Sequence, residues 1–259
     1  MKYINTFENH ASYEAEINGG VDISLPNVSY CKDVKDVHYN PYNTVEFYIL
    51  DEIFEPTVKI YTDNVNSVDV TVSEVNKWYT YVLPKDKGLY KIDGGYFFGK
   101  AKVVVKANIT TSGTTIIPSS TVEASFKGSN TSKATEMNSM FNGCSGLISL
   151  DVSSFDTSNV TSMADMFDGC SGLISLNVSS FDTSKVTNMN LMFTYCSKLI
   201  ELDLSGWNIS NGTTTVSMFS GCPKLSKIKM VGCSEETITK IEEALTAAGI
   251  KDKVTIENT

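Results

Sequence analysis

The sequence predicts an α+β chain, in which a small antiparallel, sandwich-like β domain is followed by a solenoid of 26-residue repeats with a C-terminal helix–strand cap. The main observation is a near-verbatim repeat: "MFNGCSGLISLDVSSFDTSNVTSM" from Met140 returns as "MFDGCSGLISLNVSSFDTSKVTNM" from Met166. Two further observations are β-branched and aromatic runs upstream and a capped amphipathic pattern downstream. The predicted segments are an N-terminal docking segment (1–43), the β domain (44–117), the solenoid (118–233) and the cap (234–259).

Composition and charge exclude several classes of protein. Of the 259 residues 41% are hydrophobic and 20% are charged, which is typical of a globular chain. The net charge of −9 opposes nucleic-acid binding, because that binding depends on positive side chains displacing phosphate counterions. No run approaches the roughly 18 apolar residues of a membrane span, so membrane insertion is not expected.

Each repeat combines two hydrophobic periods. Met163, Met166, Phe167 and Cys170 are spaced as on one face of two helical turns, and Leu176 begins a strand-like alternation. Each copy is therefore predicted to contain a short helix, a turn, a short strand and a polar loop. One copy cannot bury its apolar edge alone, whereas stacked copies bury equivalent apolar side chains against each other.

The predicted core ladder consists of side chains that recur at the 26-residue step. Its members are Phe141, Phe167, Phe193, Phe219, Leu150, Leu176, Leu202, Cys144, Cys170, Cys196 and Cys222. The cysteines admit two interpretations, buried thiols or disulfides between neighbouring copies. Thiols are favoured because parallel side chains in a ladder rarely reach the disulfide torsion. With no CxxC pair, a zinc site is not expected, and no cofactor is expected either.

The polar loops supply candidate recognition residues, namely Asp156, Thr157, Asp182, Thr183 and Trp207. The aspartates admit two interpretations, hydrogen bonds within a turn or a column of carboxylates that binds a cation. The loops as a whole read equally well as a recognition face or as a solvated edge.

The repeat carries a family resemblance. The pattern "MFxGCSxLxxLDLSxFDTSxVTxM", from Met137 to Cys233, resembles the BspA-type leucine-rich repeat of bacterial surface proteins. That resemblance implies a leucine-rich-repeat solenoid and a role in adhesion at a cell surface.

The regions before and after the repeats have other sequence patterns. After the repeats, Ser234 is a plausible N-cap, Gly249 a helix end and Lys253–Glu257 a last strand. Upstream, "TVKIYT", "SVDVTV", "KWYTYVLP" and "AKVVVKANI" are runs of strand length separated by turn residues. The aromatic residues of the third run, Trp78, Tyr79 and Tyr81, suit either strand packing or a carbohydrate platform.

The first 43 residues are predicted to be a docking segment, with Tyr30, Cys31, His38 and Tyr39 as its candidate contacts. A Cys–His dyad would need a third orienting group and a pocket to be catalytic. The stretch "YEAEINGG…LPNVSYCKDVKDVHYNP" resembles an N-terminal segment of virion proteins of gut bacteriophages, including crAss-like phages. This resemblance implies an anchor that holds a C-terminal module on a particle.

The function expected from these features is non-enzymatic. The two histidines lie in the N-terminal segment, and no G-x-S-x-G, P-loop or dinucleotide motif occurs. We expect a phage virion protein, a head or tail fibre or decoration, assembled in the host cytoplasm and displayed on the virion surface. Its expected partners are other virion proteins or a host-surface protein or glycan, and a homo-oligomer such as a trimer fits this role. The start of the chain lacks the apolar core of a secretory signal, which favours this expectation over the alternatives, a cell-surface or secreted BspA-type adhesin and an intracellular scaffold.

Overall fold

The computed structural model describes residues 43–50, 57–84, 87–94, 100–110, 113–210 and 212–259. The predictions for the docking segment, with Tyr30, Cys31, His38 and Tyr39, lie outside these residues.

The described residues form twelve β-strands and one α-helix. The strands are β1 (Thr44–Ile49), β2 (Thr57–Tyr61), β3 (Ser67–Thr71), β4 (Trp78–Val82), β5 (Lys91–Asp93), β6 (Ala101–Lys106), β7 (Thr121–Ser125), β8 (Ser149–Asp151), β9 (Ser175–Asn177), β10 (Glu201–Asp203), β11 (Lys227–Lys229) and β12 (Thr255–Glu257). The helix is α1 (Glu235–Ala247), and a short 3₁₀ segment, Lys251–Lys253, follows it. No helix of the described chain is long and apolar enough to cross a bilayer.

Two sheets contain the strands of the first half of the described chain. One has the order β4-β1-β6-β7-β8, and the other, antiparallel throughout, has the order β3-β2-β5. In the first sheet β1 pairs antiparallel with β4 and β6, whereas β6–β7 and β7–β8 are parallel. Alternation places Val45, Phe47 and Ile49 of β1 on the core side, each fully buried. The first sheet therefore passes without interruption from the antiparallel strands into the repeats.

The third sheet is parallel and has the order β12-β11-β10-β9. Leu202 pairs with Leu176 on one side and with Ile228 on the other, and Ile228 pairs with Ile256. The three repeat strands thus lie in register, and we refer to residues 137–162, 163–188, 189–214 and 215–233 as copies 1 to 4 of the repeat stack.

The predicted fold class, an antiparallel β domain followed by a leucine-rich-repeat solenoid with a helix–strand cap, is wrong. The described residues are mostly β, in three sheets, and their one α-helix is α1. The antiparallel strands do not form a separate sandwich, because β6 pairs with β7 across the boundary predicted between residues 117 and 118.

The short helix predicted in each copy is replaced by consecutive turns. In copy 2 the backbone N–H of Met166 donates to the carbonyl of Met163, and that of Cys170 donates to Phe167. The N–H groups of Asp165 and Phe167 donate instead to copy 3, to the carbonyls of Asn190 and Met192. Asp165 also has a φ of 56°, outside the right-handed helical region. The backbone hydrogen bonds of an α-helix join residues of the same helix, whereas in this segment alternate backbone N–H groups donate to carbonyls of the next copy.

Helix α1 covers the C-terminal end of the stack. Ser234 caps it by accepting the N–H of Thr237 at 3.2 Å, and Glu235 and Glu236 occupy its first turn, where a negative charge is favoured. Ile241 and Leu245 are fully buried in the same core as the repeats. The apolar side of the helix therefore lies in the same core as the repeats, and the Thr237 hydroxyl accepts the N–H of Ile209 in copy 3 at 3.0 Å.

Candidate interaction surface

The aromatic column of the core ladder lies entirely inside the stack. The ring centroids are 5.5 Å apart for Phe141 and Phe167, 5.5 Å for Phe167 and Phe193, and 5.8 Å for Phe193 and Phe219. The rings are within 10° of parallel, and none of the four is exposed. These side chains stabilise the stack by burial and offset stacking, and they offer nothing to a partner.

The leucine column is buried beside the aromatic column in copies 2 and 3. Leu176 and Leu202 are 4% and 1% exposed. Leu150 of copy 1 is only partly buried, although it packs against the same core.

The cysteine column consists of free thiols. In copies 2, 3 and 4 the Sγ of Cys170, Cys196 and Cys222 donates to the carbonyl of a phenylalanine in the preceding copy, at 3.1, 3.2 and 2.9 Å. Burial raises the pKa of Cys144 from 9.0 to about 12 and that of Cys222 to about 11, and it raises the pKa of Cys170 and Cys196 in the same direction. Such thiols are protonated at neutral pH and are poor nucleophiles.

Three of the five candidate recognition residues are buried. Trp207 is 1% exposed, and its indole Nε1 donates to the Val178 carbonyl at 2.9 Å. Thr157 and Thr183 are 2% and 1% exposed, and each donates its hydroxyl to a carbonyl of the next copy. Buried side chains have no surface to offer a ligand, so these three serve the packing of the stack.

The remaining two candidates, Asp156 and Asp182, are exposed and bonded within their own turns. The Oδ1 of Asp156 accepts the hydroxyl of Ser158 at 2.6 Å and its backbone N–H at 3.1 Å. Asp182 makes the same pair of bonds with Ser184. These bonds lower the pKa of both carboxyl groups, the serine hydroxyl being the larger cause. The geometry is that of a side chain closing a turn.

A metal site has no support in the described part of the chain. No group of three or more His, Cys, Asp and Glu side chains there is arranged to hold an ion. The Asp156 and Asp182 carboxylates are also committed to their serine donors.

The aromatic residues of β4 do not form one platform. The Tyr79 ring stacks on Phe47 with centroids 5.5 Å apart, and its hydroxyl accepts the N–H of Glu74 at 2.9 Å. Trp78 lies instead beside Tyr48, at 5.4 Å and 55°. Successive residues of a strand point to opposite faces, so Trp78 and Tyr79 cannot present one flat surface.

A column of exposed isoleucines, which sequence reasoning missed, is the most prominent surface feature of the repeats. Ile148 and Ile174 are each 52% exposed and Ile200 is 40% exposed. The N–H of Ile200 donates to the carbonyl of Ile174 at 2.8 Å, and Ile148 holds the equivalent position of copy 1. In "LISL", which is "LIEL" in copy 3, the isoleucine directly follows a fully buried leucine, which is Leu147, Leu173 or Leu199 in copies 1 to 3. Successive residues of an extended segment point to opposite sides, so the sequence contained the signal. We call Ile148, Ile174 and Ile200 the isoleucine column.

Comparison with known proteins gives one match. Residues 115–230 match a family described as "Mycoplasma protein of unknown function, DUF285". No curated protein and no solved structure matches the chain. The matched segment includes the isoleucine column and the consecutive turns of all four copies. The family description assigns no activity to either.

Proposed function

We propose that this protein is a non-enzymatic structural component of a bacteriophage virion, a fibre or decoration of the head or tail, that contacts its partner through the isoleucine column. The observation that carries the binding part is the recurrence of a half-exposed isoleucine, Ile148, Ile174 and Ile200, at the equivalent position of copies 1 to 3. An apolar stripe left in water by a folded chain gains free energy when a partner covers it.

The virion context is supported by the resemblance of the N-terminal segment to virion proteins. In this proposal residues 1–43 attach the protein to the particle, and the repeat stack faces a neighbouring virion protein or a host-surface protein.

A second candidate function is a bacterial cell-surface adhesin. The match of residues 115–230 to a family described as a Mycoplasma protein supports it, because Mycoplasma are bacteria. The isoleucine column would then bind a protein of the host or of the extracellular matrix.

The proposal is tested by a triple variant, Ile148→Ser, Ile174→Ser and Ile200→Ser, which installs the residue that copy 4 already has at Ser226. We expect the amount of variant retained on purified phage particles, or bound to host cells, to fall about tenfold or more, as for hot-spot truncations. The matched control changes another exposed column, Thr161, Thr187 and Thr214, to serine.

Equal retention and equal cell binding of the triple variant and the control would contradict a role for the column. Mass spectrometry separates the two contexts. Recovery of the wild-type protein with purified particles supports the virion, whereas its release by protease from intact bacterial cells selects the adhesin.

A further inference from the structure

A second exposed apolar group lies on the turn side of the stack, where copies 3 and 4 depart from the repeat. Leu191, Tyr195 and Val216 are 36%, 64% and 65% exposed. In copy 2 the residues equivalent to Leu191 and Tyr195 are Asp165 and Gly169. The N–H of Leu191 donates to the carbonyl of Val216 at 2.9 Å, which makes these two neighbours. We call Leu191, Tyr195 and Val216 the turn-side patch.

Tyr195 occupies a backbone position that suits glycine. Its φ is 56°, and the three equivalent residues, Gly143, Gly169 and Gly221, have φ of 71°, 71° and 72°. Side chains with a Cβ are disfavoured in this left-handed region. The ring lies against Gly221, where an added Cβ would come within 2.6 Å of the Tyr195 Cδ1. Core packing does not account for the tyrosine, because most of its surface is in solvent.

The border of the patch on the copy 2 side is acidic. Asp165 precedes Leu191 by one copy, and the Asp165 N–H donates to the carbonyl of Asn190 at 2.9 Å. Asp168 lies in the same turn, where its Oδ2 accepts a bond from Asn142 at 3.4 Å. Within the described ranges, neither carboxylate has a lysine partner within 4.0 Å.

We infer that the turn-side patch is a docking site for a protein segment that presents a lysine or arginine next to an aliphatic side chain. The aliphatic group covers Leu191 and Val216, and the cation meets the Tyr195 ring and the carboxylates of Asp165 and Asp168. Tyrosine is one of the residues enriched in interface hot spots, so Tyr195 is the expected anchor of the patch.

Two other occupants fit the patch less well. A second copy of this chain carries the same acidic border and a net charge of −9, so like charges would meet. A neutral sugar would place hydroxyl groups against Leu191 and Val216, where they would lose hydrogen bonds to water. The proposal concerns a different set of residues from the isoleucine column and does not depend on the proposed function.

The test titrates the ¹⁵N-labelled full chain with three matched hexapeptides, Gly-Lys-Leu-Lys-Leu-Gly, its Glu-for-Lys version and its Ser-for-Leu version. We expect the Lys–Leu peptide to shift the amide signals of Leu191, Tyr195 and Val216 and to bind at least about fivefold more tightly than the other two. Tyr195→Gly, which restores the glycine of the other copies, should weaken binding about tenfold. Its urea midpoint should not fall, because glycine suits that backbone.

The control variant is Thr187→Ser, at an exposed position outside both apolar groups, and it should leave peptide binding unchanged. The inference is overturned if the Lys–Leu peptide does not bind, if the Glu–Leu peptide binds equally well, or if Tyr195→Gly binds like wild type. It is also overturned if cellohexaose gives the same signal shifts, or if sedimentation shows a dimer that Tyr195→Gly abolishes.

Discussion

At the scale of single residues, the cysteine column shows how burial fixes the chemistry of a side chain. Cys144 is fully buried, and its pKa of about 12 results from loss of solvation of the thiolate. The repeated cysteines are therefore small apolar groups with a weak S–H donor. Their recurrence reflects space in the stack rather than reactivity.

The Cys144 thiol makes stability depend on alkaline pH. The folded-state pKa is raised above 9.0, so the contribution is fully present below pH 9 and is lost as the pH rises towards about 12. Above pH 9 the unfolded state releases the proton and the folded state keeps it. Cys144→Ala removes this effect, so the gap in free energy of unfolding between wild type and variant should shrink by about 2 kcal/mol from pH 8.5 to 10.5.

Urea titrations at several pH values measure this gap. Val152→Ala, at a core position 1% exposed, is the control, because its gap from wild type should not change with pH. A gap for Cys144→Ala that is equally constant would mean that the thiol ionises alike in both states.

At the scale of elements, the turn segments explain why a helix was predicted and not found. Met163, Met166, Phe167 and Cys170 all face the core, as the spacing indicates, and all are fully buried. The spacing only requires that every third or fourth side chain return to one side, and a series of turns does this too. Asp165 and Gly169, both with positive φ, are what interrupt the helix.

Among the glycines of the repeat stack, Gly172 leaves the least room for a side chain against the preceding copy. It lies between the turns of copy 2 and β9. A Cβ placed there would lie 2.5 Å from the Leu147 carbonyl oxygen and 2.8 Å from that of Ser145. Backbone atoms cannot yield as a flexible side chain can. Gly172→Ala should therefore lower the free energy of unfolding by about 1–3 kcal/mol, as overpacking does.

Lys198→Ala is the matched control, because Lys198 holds the equivalent position of copy 3 and is exposed. Its urea midpoint should correspond to a change within about 0.5 kcal/mol. A destabilisation by Gly172→Ala no greater than that of the control would show that the two copies can separate at this point at little cost.

At the scale of the whole molecule, the repeat register predicts that one copy can be removed without unfolding the rest. Deletion of Phe167–Met192 joins Met166 to Phe193, which stands in the position of Phe167. The shortened chain should unfold cooperatively in urea, with an m-value lower by about a tenth, because m follows the surface buried.

Deletion of the half-copy Phe167–Ser179 is the control. It places a polar loop where the Phe column must continue, so this chain should show collapsed amide dispersion in NMR spectra. If both deletions behave alike, the 26-residue register does not govern the packing.

How much of this architecture is predictable depends on the kind of contact. Columns such as Phe167 on Phe141 can be inferred from the sequence, because the same residue recurs at one step. The pairing of β6 with β7 cannot, since nothing in "AKVVVK" identifies a parallel partner. Trp207 is predicted among the recognition residues of the polar loops, but the Val178 carbonyl satisfies its N–H inside the core.

Both ends of the apolar columns are closed. At one end Phe126 packs edge-on against Phe141 at 5.4 Å beside the sheet that holds β6, and at the other Ile241 and Leu245 of α1 belong to the same buried core as Phe219. Neither terminal ring, Phe126 or Phe219, has any solvent-accessible area. Within the described part of the chain, a second molecule therefore cannot extend the aromatic series by stacking on Phe126 or Phe219 unless the groups that cover these rings first move away.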